Sequence, residues 1–328
     1  MSETVLAYDP SVDPYWWAAV VGLGNTLYLS LIVIAISTLL GTAVAIGRLS
    51  KNSLASGMSR VWVELARNTP PIILLFLIYS MWWKLLPQIA DAWALGAGSY
   101  ISLRGFVYPK IIFNTPIIMY AAIGMAAIAT YLAYRTSQRA FDKTGKKSFL
   151  FSRTLIASFL LLVAFAYFLG VDPQLEIPVK GEGFFTGGSE LSPEFTSIII
   201  GLTIYTTGFV AEIVRAGILA IPKGQWEAAR AVGLSQWKIM RLVILPQTLK
   251  VIIPPMTSQY INVIKNSTLA IAIGYMDFLT VMQTVINTSN HAIEGLLIIL
   301  LVYLAVNLGL SALMNRWNSR LLGKGRTA

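Results

Sequence analysis

Apolar runs long enough to cross a bilayer recur along this chain, and they leave it few ways to fold. They cover about Trp16–Gly47, Pro71–Leu86, Ile111–Tyr134, Leu155–Gly170, Phe195–Ile221, Val251–Ile273 and Ala292–Met314. Roughly 20 consecutive apolar residues suffice for a helix to span the hydrocarbon core. Inside lipid every backbone polar group must be satisfied internally, so such runs are helices or strands of a closed barrel. Barrel strands alternate apolar and polar residues over about ten positions, whereas these runs are continuously apolar. The sequence therefore predicts an all-α integral membrane protein of about seven spans, a single transmembrane domain over residues 1–328.

The distribution of charge orients those spans. Only 12% of residues are charged, yet the net charge is +10. Lys and Arg collect in alternate connections. Arg48, Lys51, Arg60 and Arg67 follow the first run, and Arg135, Arg139, Lys143, Lys146, Lys147 and Arg153 follow the third. Lys223, Arg230, Lys238, Arg241 and Lys250 follow the fifth, and Arg316, Arg320, Lys324 and Arg326 the last. Asp91, Asp172, Glu176, Glu182, Glu190, Glu194, Asp277 and Glu294 fall on the other side. Basic loops stay cytoplasmic, so the N-terminus is expected outside and the C-terminus in the cytoplasm. Basic charge placed this way points to membrane orientation and away from nucleic acid. Residues Met1 to Tyr15 carry Glu3, Asp9 and Asp13 and no base. No cleavable signal peptide is expected there, and the first span serves as its own signal. The chain has no cysteine, hence no disulfide and no thiolate metal site.

Between the fifth and sixth runs lies a basic, polar segment, residues 221–250, with an unusually ordered composition. Glu227-Ala228-Ala229-Arg230-Ala231-Val232 consists mostly of good helix formers. Gly233 permits a turn that a side chain would resist. Ser235 is placed to cap a second helix carrying Trp237, Ile239, Met240 and Leu242. Leu245-Pro246 marks the entry to the next span. Two short helices at an angle, with small residues on the first, suit either a plain cytoplasmic hairpin or a docking element. In the docking reading, Ala228 and Ala229 allow a partner close approach and Glu227 meets a basic group.

This segment resembles the EAA loop of ATP-binding-cassette importer permeases: Glu-Ala-Ala, three residues, Gly233, then Val243-Ile244-Leu245-Pro246. Val243 stands where the family usually has Ile. Further stretches are similar to the polar amino-acid permeases. They are Glu64-Leu65-Ala66-Arg67-Asn68-Thr69-Pro70, Glu212-Ile213-Val214-Arg215-Ala216-Gly217-Ile218, Gly224-Gln225-Trp226-Glu227 and Lys265-Asn266-Ser267-Thr268-Leu269. Asn68, where most members have Gly, resembles the subgroup importing general L-amino acids or glutamate, glutamine, aspartate and asparagine. The resemblance covers spans one, two, five, six and seven, a five-span core of the MetI-like type I importer fold. Residues 88–191, with two spans, form an insertion relative to short members.

The resemblance implies a transmembrane subunit of an ATP-driven importer, half of a translocation pathway and no enzyme itself. It implies a second permease, with a heterodimer favoured, two copies of an ATPase, and an external amino-acid-binding protein, in a bacterial inner membrane. Coupling to the ATPase falls to Glu227, Ala228, Ala229, Gly233, Leu245 and Pro246. The chain carries no Gly-x-x-x-x-Gly-Lys-Ser/Thr phosphate loop, so no cofactor is expected on it, and ATP and magnesium belong to the partner.

Ionisable residues inside a span are costly and mark functional positions by default. Glu212 and Arg215, at helical i, i+3 spacing, either brace the fifth span or line the substrate path. Lys265, Asn266, Ser267 and Thr268 either break the sixth span and offer polar groups to a zwitterion, or pack helices through small polar side chains. The competing reading of the whole chain is a self-sufficient secondary amino-acid transporter or channel. That reading requires inverted repeats and several intramembrane carboxylates, and the sequence shows neither.

Overall fold

The computed structural model describes residues 13–113, 116–144, 155–158, 160, 173–181 and 183–323. Its helices are α1 (Tyr15–Arg48), α2 (Ser53–Asn68), α3 (Pro71–Leu85), α4 (Pro116–Thr144), α5 (Pro193–Leu219), α6 (Lys223–Ala231), α7 (Leu245–Asn266), α8 (Phe278–Ser289) and α9 (Ala292–Gly323). Four helices among the described residues are long and apolar enough to cross a membrane. They become five if α2 and α3, which meet at 104°, count as one broken span. Pro70 and Pro71 explain that break, because proline has no N–H to give and keeps its predecessor out of helical geometry.

The chain divides into two compact units. One comprises the residues up to Gln88, Leu103–Gly105 and those from Glu190 onward. The other comprises Ile89–Ser102 and Phe106–Ser189. The first unit is a helical bundle centred on α5. Leu29 and Val33 of α1, Leu75 of α3, Ile198 and Leu202 of α5 and Val263 of α7 form one buried cluster. Ala45, Val63, Val210, Ala211, Val214 and Met256 form a second.

Glycine sets the spacing of this bundle. A Cβ on Gly201 of α5 would stand 2.6 Å from a Leu75 methyl of α3, and one on Gly208 would stand 2.8 Å from Ala66 of α2. On Gly217 it would stand 2.1 Å from Ile252 of α7, and on Gly41 of α1 it would stand 2.5 Å from Val210 of α5. Lipid tails are as apolar as leucine, so helices in a membrane associate through such close approaches rather than by hydrophobic transfer.

The second unit is partly β. Strands β1 (Trp93–Gly96) and β2 (Ser99–Ser102) form a hairpin, followed by β3 (Gly105–Tyr108) and β4 (Lys110–Phe113). Strand β4 pairs antiparallel with β5 (Pro173–Glu176), and β6 (Val179–Lys180) with β7 (Phe185–Thr186). Residues Ile111–Phe113 were expected to open the third span. They lie in the β4–β5 ladder, and the helix starts later, at Pro116. The fourth expected span falls mostly outside the described residues.

The sixth span keeps its α-helix through Lys265 and Asn266. It then tightens to a 3-10 turn over Ser267–Ile273 and stops at Gly274, which adopts φ +80°. Helix α8 is an addition to the sequence reading. Its start is set by Asp277, whose carboxylate accepts from the Thr280 backbone N–H.

Replacing Gly41 with valine should destabilise the bundle by about 1–3 kcal/mol, the usual cost of overpacking a close contact. A lowered melting temperature of the detergent-solubilised protein, with the same change at Gly57, whose Cβ would meet nothing within 4 Å, as control, checks this.

Candidate functional site

The basic segment folds as two short helical pieces around their own small core. Helix α6 begins just after Pro222 and spans Lys223–Ala231, starting four residues before the Glu227 read from sequence and ending one before Val232. Its C-terminus closes in a Schellman arrangement. The Gly233 N–H donates to the Arg230 carbonyl at 2.9 Å and the Leu234 N–H to the Ala229 carbonyl at 3.3 Å. That closure needs a left-handed residue, and Gly233 supplies it at φ +77°.

A helical turn over Gln236–Lys238 then runs into a π-helical stretch, Ile239–Ile244. Ser235 has the extended backbone of a cap, but its side chain makes no capping bond. The π stretch has a local cause. Pro246 offers no N–H to the preceding turn and its ring crowds a carbonyl there. The chain widens before it instead, the Leu245 N–H donating to the Met240 carbonyl.

Ile221, Ala229, Ile239 and Ile244 are buried together, with Trp226, Leu234, Met240 and Val243 against them. Gln247 of α7 donates to the Gln225 side chain of α6 at 3.0 Å. Thus the end of α5, α6 and the start of α7 are held as one body. Of the residues assigned to docking, Glu227, Ala228, Gly233, Leu245 and Pro246 are exposed, while Ala229 is spent on the internal core. The exposed face also carries Val232 (78% exposed), Trp237 (69%) and Leu242 (62%), beside Arg230, Lys238 and Arg241. Large exposed apolar side chains on a charged loop mark an interaction surface.

The polar membrane residues fall into two separate groups. Glu212 takes one carboxylate oxygen to Arg215 Nη2 at 2.6 Å and the other to Arg48 of α1. Sequence spacing anticipated Arg215. Arg48, 164 positions away, was legible only as a basic residue ending the first span. In the second group, Lys265 is exposed and Ser267 fully buried. The Ser267 hydroxyl donates to the Ile264 carbonyl at 2.8 Å and that of Thr268 to the Lys265 carbonyl at 2.7 Å. These hydroxyls are satisfied within their own helix. No hydrogen bond or ion pair joins Lys265–Thr268 to Glu212 or Arg215 among the described residues. Arg67 lies over the Phe209 ring, 5.4 Å from its centre, a cation–π contact.

Sequence reading missed one site. Asp277, assigned to an external connection, is fully buried, as are Asn25 and Thr26. Asn25 donates to the Met276 carbonyl at 2.8 Å, and the Phe278 N–H donates to Thr26 Oγ1 at 2.9 Å. The polar pair Asn25-Thr26 inside an apolar run was the available signal.

With Glu212 removed, Arg48 and Arg215 face each other without a counter-charge. Glu212→Gln should therefore lower the stability of the purified protein by more than Arg215→Ala does, by about 1–3 kcal/mol for an unpaired, partly buried charge. Melting curves of both variants in the same detergent check the order.

The family model described as "Binding-protein-dependent transport system inner membrane component" matches residues 37–323. The chain is 40% identical over 313 residues to the general L-amino acid transport system permease protein AapQ of Rhizobium johnstonii, covering 95% of this chain and 78% of that protein. It is 37% identical to the putative amino-acid ABC transporter permease protein YhdX of Escherichia coli K12, covering 94% and 79%. It is 34% identical to the glutamate/glutamine/aspartate/asparagine transport system permease protein BztB of Rhodobacter capsulatus, covering 99% and 84%. Among solved structures it shares its fold with an amino acid ABC transporter crystallised with histidines, at TM-score 0.56, 21% identity and coverage of 96% and 100%. It shares the fold also with the MetNI methionine ABC transporter, at TM-score 0.54, 14% identity and coverage of 96% and 99%.

Proposed function

The chain belongs to the binding-protein-dependent transport system inner membrane components, and from that premise we propose that it is a permease subunit importing polar or general L-amino acids. The observation that carries the reading is the exposed face of the α6–Gly233 loop, backed by a core that ties it to two membrane helices. The substrate class rests on the amino-acid permeases to which the chain is similar over more than 90% of its length. In this reading the chain forms half of a translocation pathway, together with a second permease in a heterodimer. Two copies of an ATPase dock on the cytoplasmic side, and an external binding protein delivers the substrate. The N-terminus lies outside and the C-terminus in the cytoplasm.

The geometry of the loop suggests how force is passed on. ATP and magnesium, held by the partner, supply the energy when bound there. Glu227, Ala228 and Gly233 present the docking face. Ala229, Ile239 and Ile244 lock α6 to Ile221 at the end of α5 and to the start of α7. A push on α6 therefore moves the cytoplasmic ends of α5 and α7 together. Leu245 and Pro246 stand where that movement enters the span, beside the π turn, a stretch with looser hydrogen bonding than an α-helix. The Glu212 group is then a brace between α1 and α5 rather than a first contact for substrate. Residues 88–191 act as an added module on the core. Membership in this family removes the reason to invoke a self-sufficient secondary transporter or channel.

Gly233→Val forces a β-branched residue into a left-handed conformation, at about 1–2 kcal/mol, and disturbs the docking face. Glu227→Lys reverses its charge. Both variants are expected at normal level in the membrane, with amino-acid uptake strongly reduced and less ATPase recovered with the tagged chain from native membranes. Normal uptake by both would refute the coupling role. Recovery of the unaltered chain with no ATPase in several mild detergents would refute the importer reading itself.

A further inference from the structure

Asp277 carries the one fully buried carboxyl among the described residues. It sits between the 3-10 turn Ser267–Ile273 and α8. Its Oδ1 accepts from the Thr280 N–H at 2.9 Å and from the Thr280 hydroxyl at 2.7 Å. Its Oδ2 is enclosed and takes no hydrogen bond, and the Tyr303 hydroxyl of α9 is enclosed in the same way. The Tyr303 hydroxyl lies beside the side chains of Asp277, Ser267 and Thr26. The Tyr303 ring is set edge-on to Phe278, with centres 5.6 Å apart.

Among the described residues no ion pair reaches this carboxyl. Ion pairs among the described residues join Arg48 and Arg215 to Glu212, Arg104 to Glu190, and His291 to Glu294. Around Asp277, α1 brings Asn25 and Thr26, the 3-10 turn brings Ser267, α8 brings Thr280, and α9 brings Tyr303 as the titratable neighbour. Tyr275 lies two positions back in the same connection.

An ionised carboxylate enclosed without a counter-charge is far more costly than a neutral acid. Hydrogen-bond accounting is met in either state, since the Tyr303 O–H can donate to an ionised Oδ2 and a proton on Oδ2 can be donated to the Tyr303 oxygen. The cost of enclosing a charge without a counter-charge selects the second. The Tyr303 O–H is then free to donate to Ser267 Oγ, whose own proton is spent on the Ile264 carbonyl. We propose that Thr26, Ser267, Asp277 and Tyr303 form a buried one-proton site, in which Asp277 is the neutral acid and its Oδ2–H donates to the Tyr303 hydroxyl. The site ties α1, the end of the sixth span, the α8 cap and α9 together, and its ligand is a proton rather than a metal cation.

Burial pushes the Asp277 carboxyl above its ordinary range, while the hydrogen bonds from Thr280 pull it down. A folded value raised in this way gives a stability contribution that is complete below the ordinary carboxylate value near ~3.9. That contribution falls as pH rises through the raised value.

The test is infrared spectroscopy of the full-length protein in lipid nanodiscs at neutral pH, compared with Asp277→Asn and Tyr303→Phe. The carbonyl stretch of a protonated carboxyl is expected in the unaltered protein, absent in Asp277→Asn and shifted in Tyr303→Phe, where its hydrogen-bond acceptor is gone. Should Asp277→Asn not fold, the shift in Tyr303→Phe decides alone. Melting temperature should fall with rising pH more steeply in the unaltered protein than in Asp277→Asn. A carboxylate stretch at neutral pH, or a protonated band that Tyr303→Phe leaves in place, would overturn the proposal. A carboxylate stretch together with a melting temperature that rises on adding sodium would assign the cluster to a metal cation and overturn it equally.

Discussion

Close approach to α5 is the constraint on which the rest of the first unit depends. Helices in a membrane gain little from hiding apolar surface, since lipid hides it as well. They must gain from contact, and contact here is bought by missing side chains. Gly201, Gly208 and Gly217 open three places along α5 to α3, α2 and α7, and Gly41 of α1 opens a fourth against Val210. Helix α5 thereby comes close to α1, α2, α3 and α7, with Ile198, Leu202 and Val210 filling the space between these approaches. The same helix carries Glu212, which joins α1 through Arg48, and it ends two residues before Ile221, which enters the core of the loop helices. Packing, the polar brace and the loop are three consequences of one helix held on all sides.

The loop is held as firmly as the bundle it joins. It is short, its first helix is sealed by the Gly233 closure, and its core draws on Ile221, just after α5, and Ile244, just before α7. The exposed Val232, Trp237 and Leu242 are costly to leave in water, and a loop that keeps them outside while burying Ala229 has divided its apolar residues between an inner and an outer surface. The inner set holds the loop as one body, and the outer set leaves large apolar side chains on its surface. The π stretch ahead of Pro246 is where the loop joins the span.

The parts legible in the sequence were those governed by local order. Continuous apolar runs predicted α1 and α5 within a few residues and the start of α9, and in the loop the first helix and the Gly233 turn appeared, while the second helix is a short turn running into a π stretch. The parts that escaped depend on partners far along the chain. Ile111–Phe113 looks like the head of a membrane helix until Pro173–Glu176 pairs with it. Glu212 and Arg215 announce each other by spacing, but Arg48 enters only once α1 lies on α5. Lys265–Thr268 left a break and a packing site open, and its hydroxyls bond back to their own helix, a common use of Ser and Thr in apolar helices.

Asp277 shows the same limit from the other direction. Counted by position it belongs with the acidic residues of an external connection. Counted by surroundings it is the most enclosed acid described. The difference arises because the chain after the sixth span does not leave the bundle. The 3-10 turn tightens it, Gly274 reverses it, and Asn25 and Thr26 capture the backbone at Met276 and Phe278. A polar pair in the middle of α1 is expensive unless it has work, and here its work is to hold a non-helical connection whose backbone groups would otherwise go unpaired. The carboxyl is carried inside with that connection. It satisfies one oxygen by capping α8, and the other is enclosed without a counter-charge among the described residues. The neutral acid follows from the cost of enclosing a charge in the bundle with nothing to balance it.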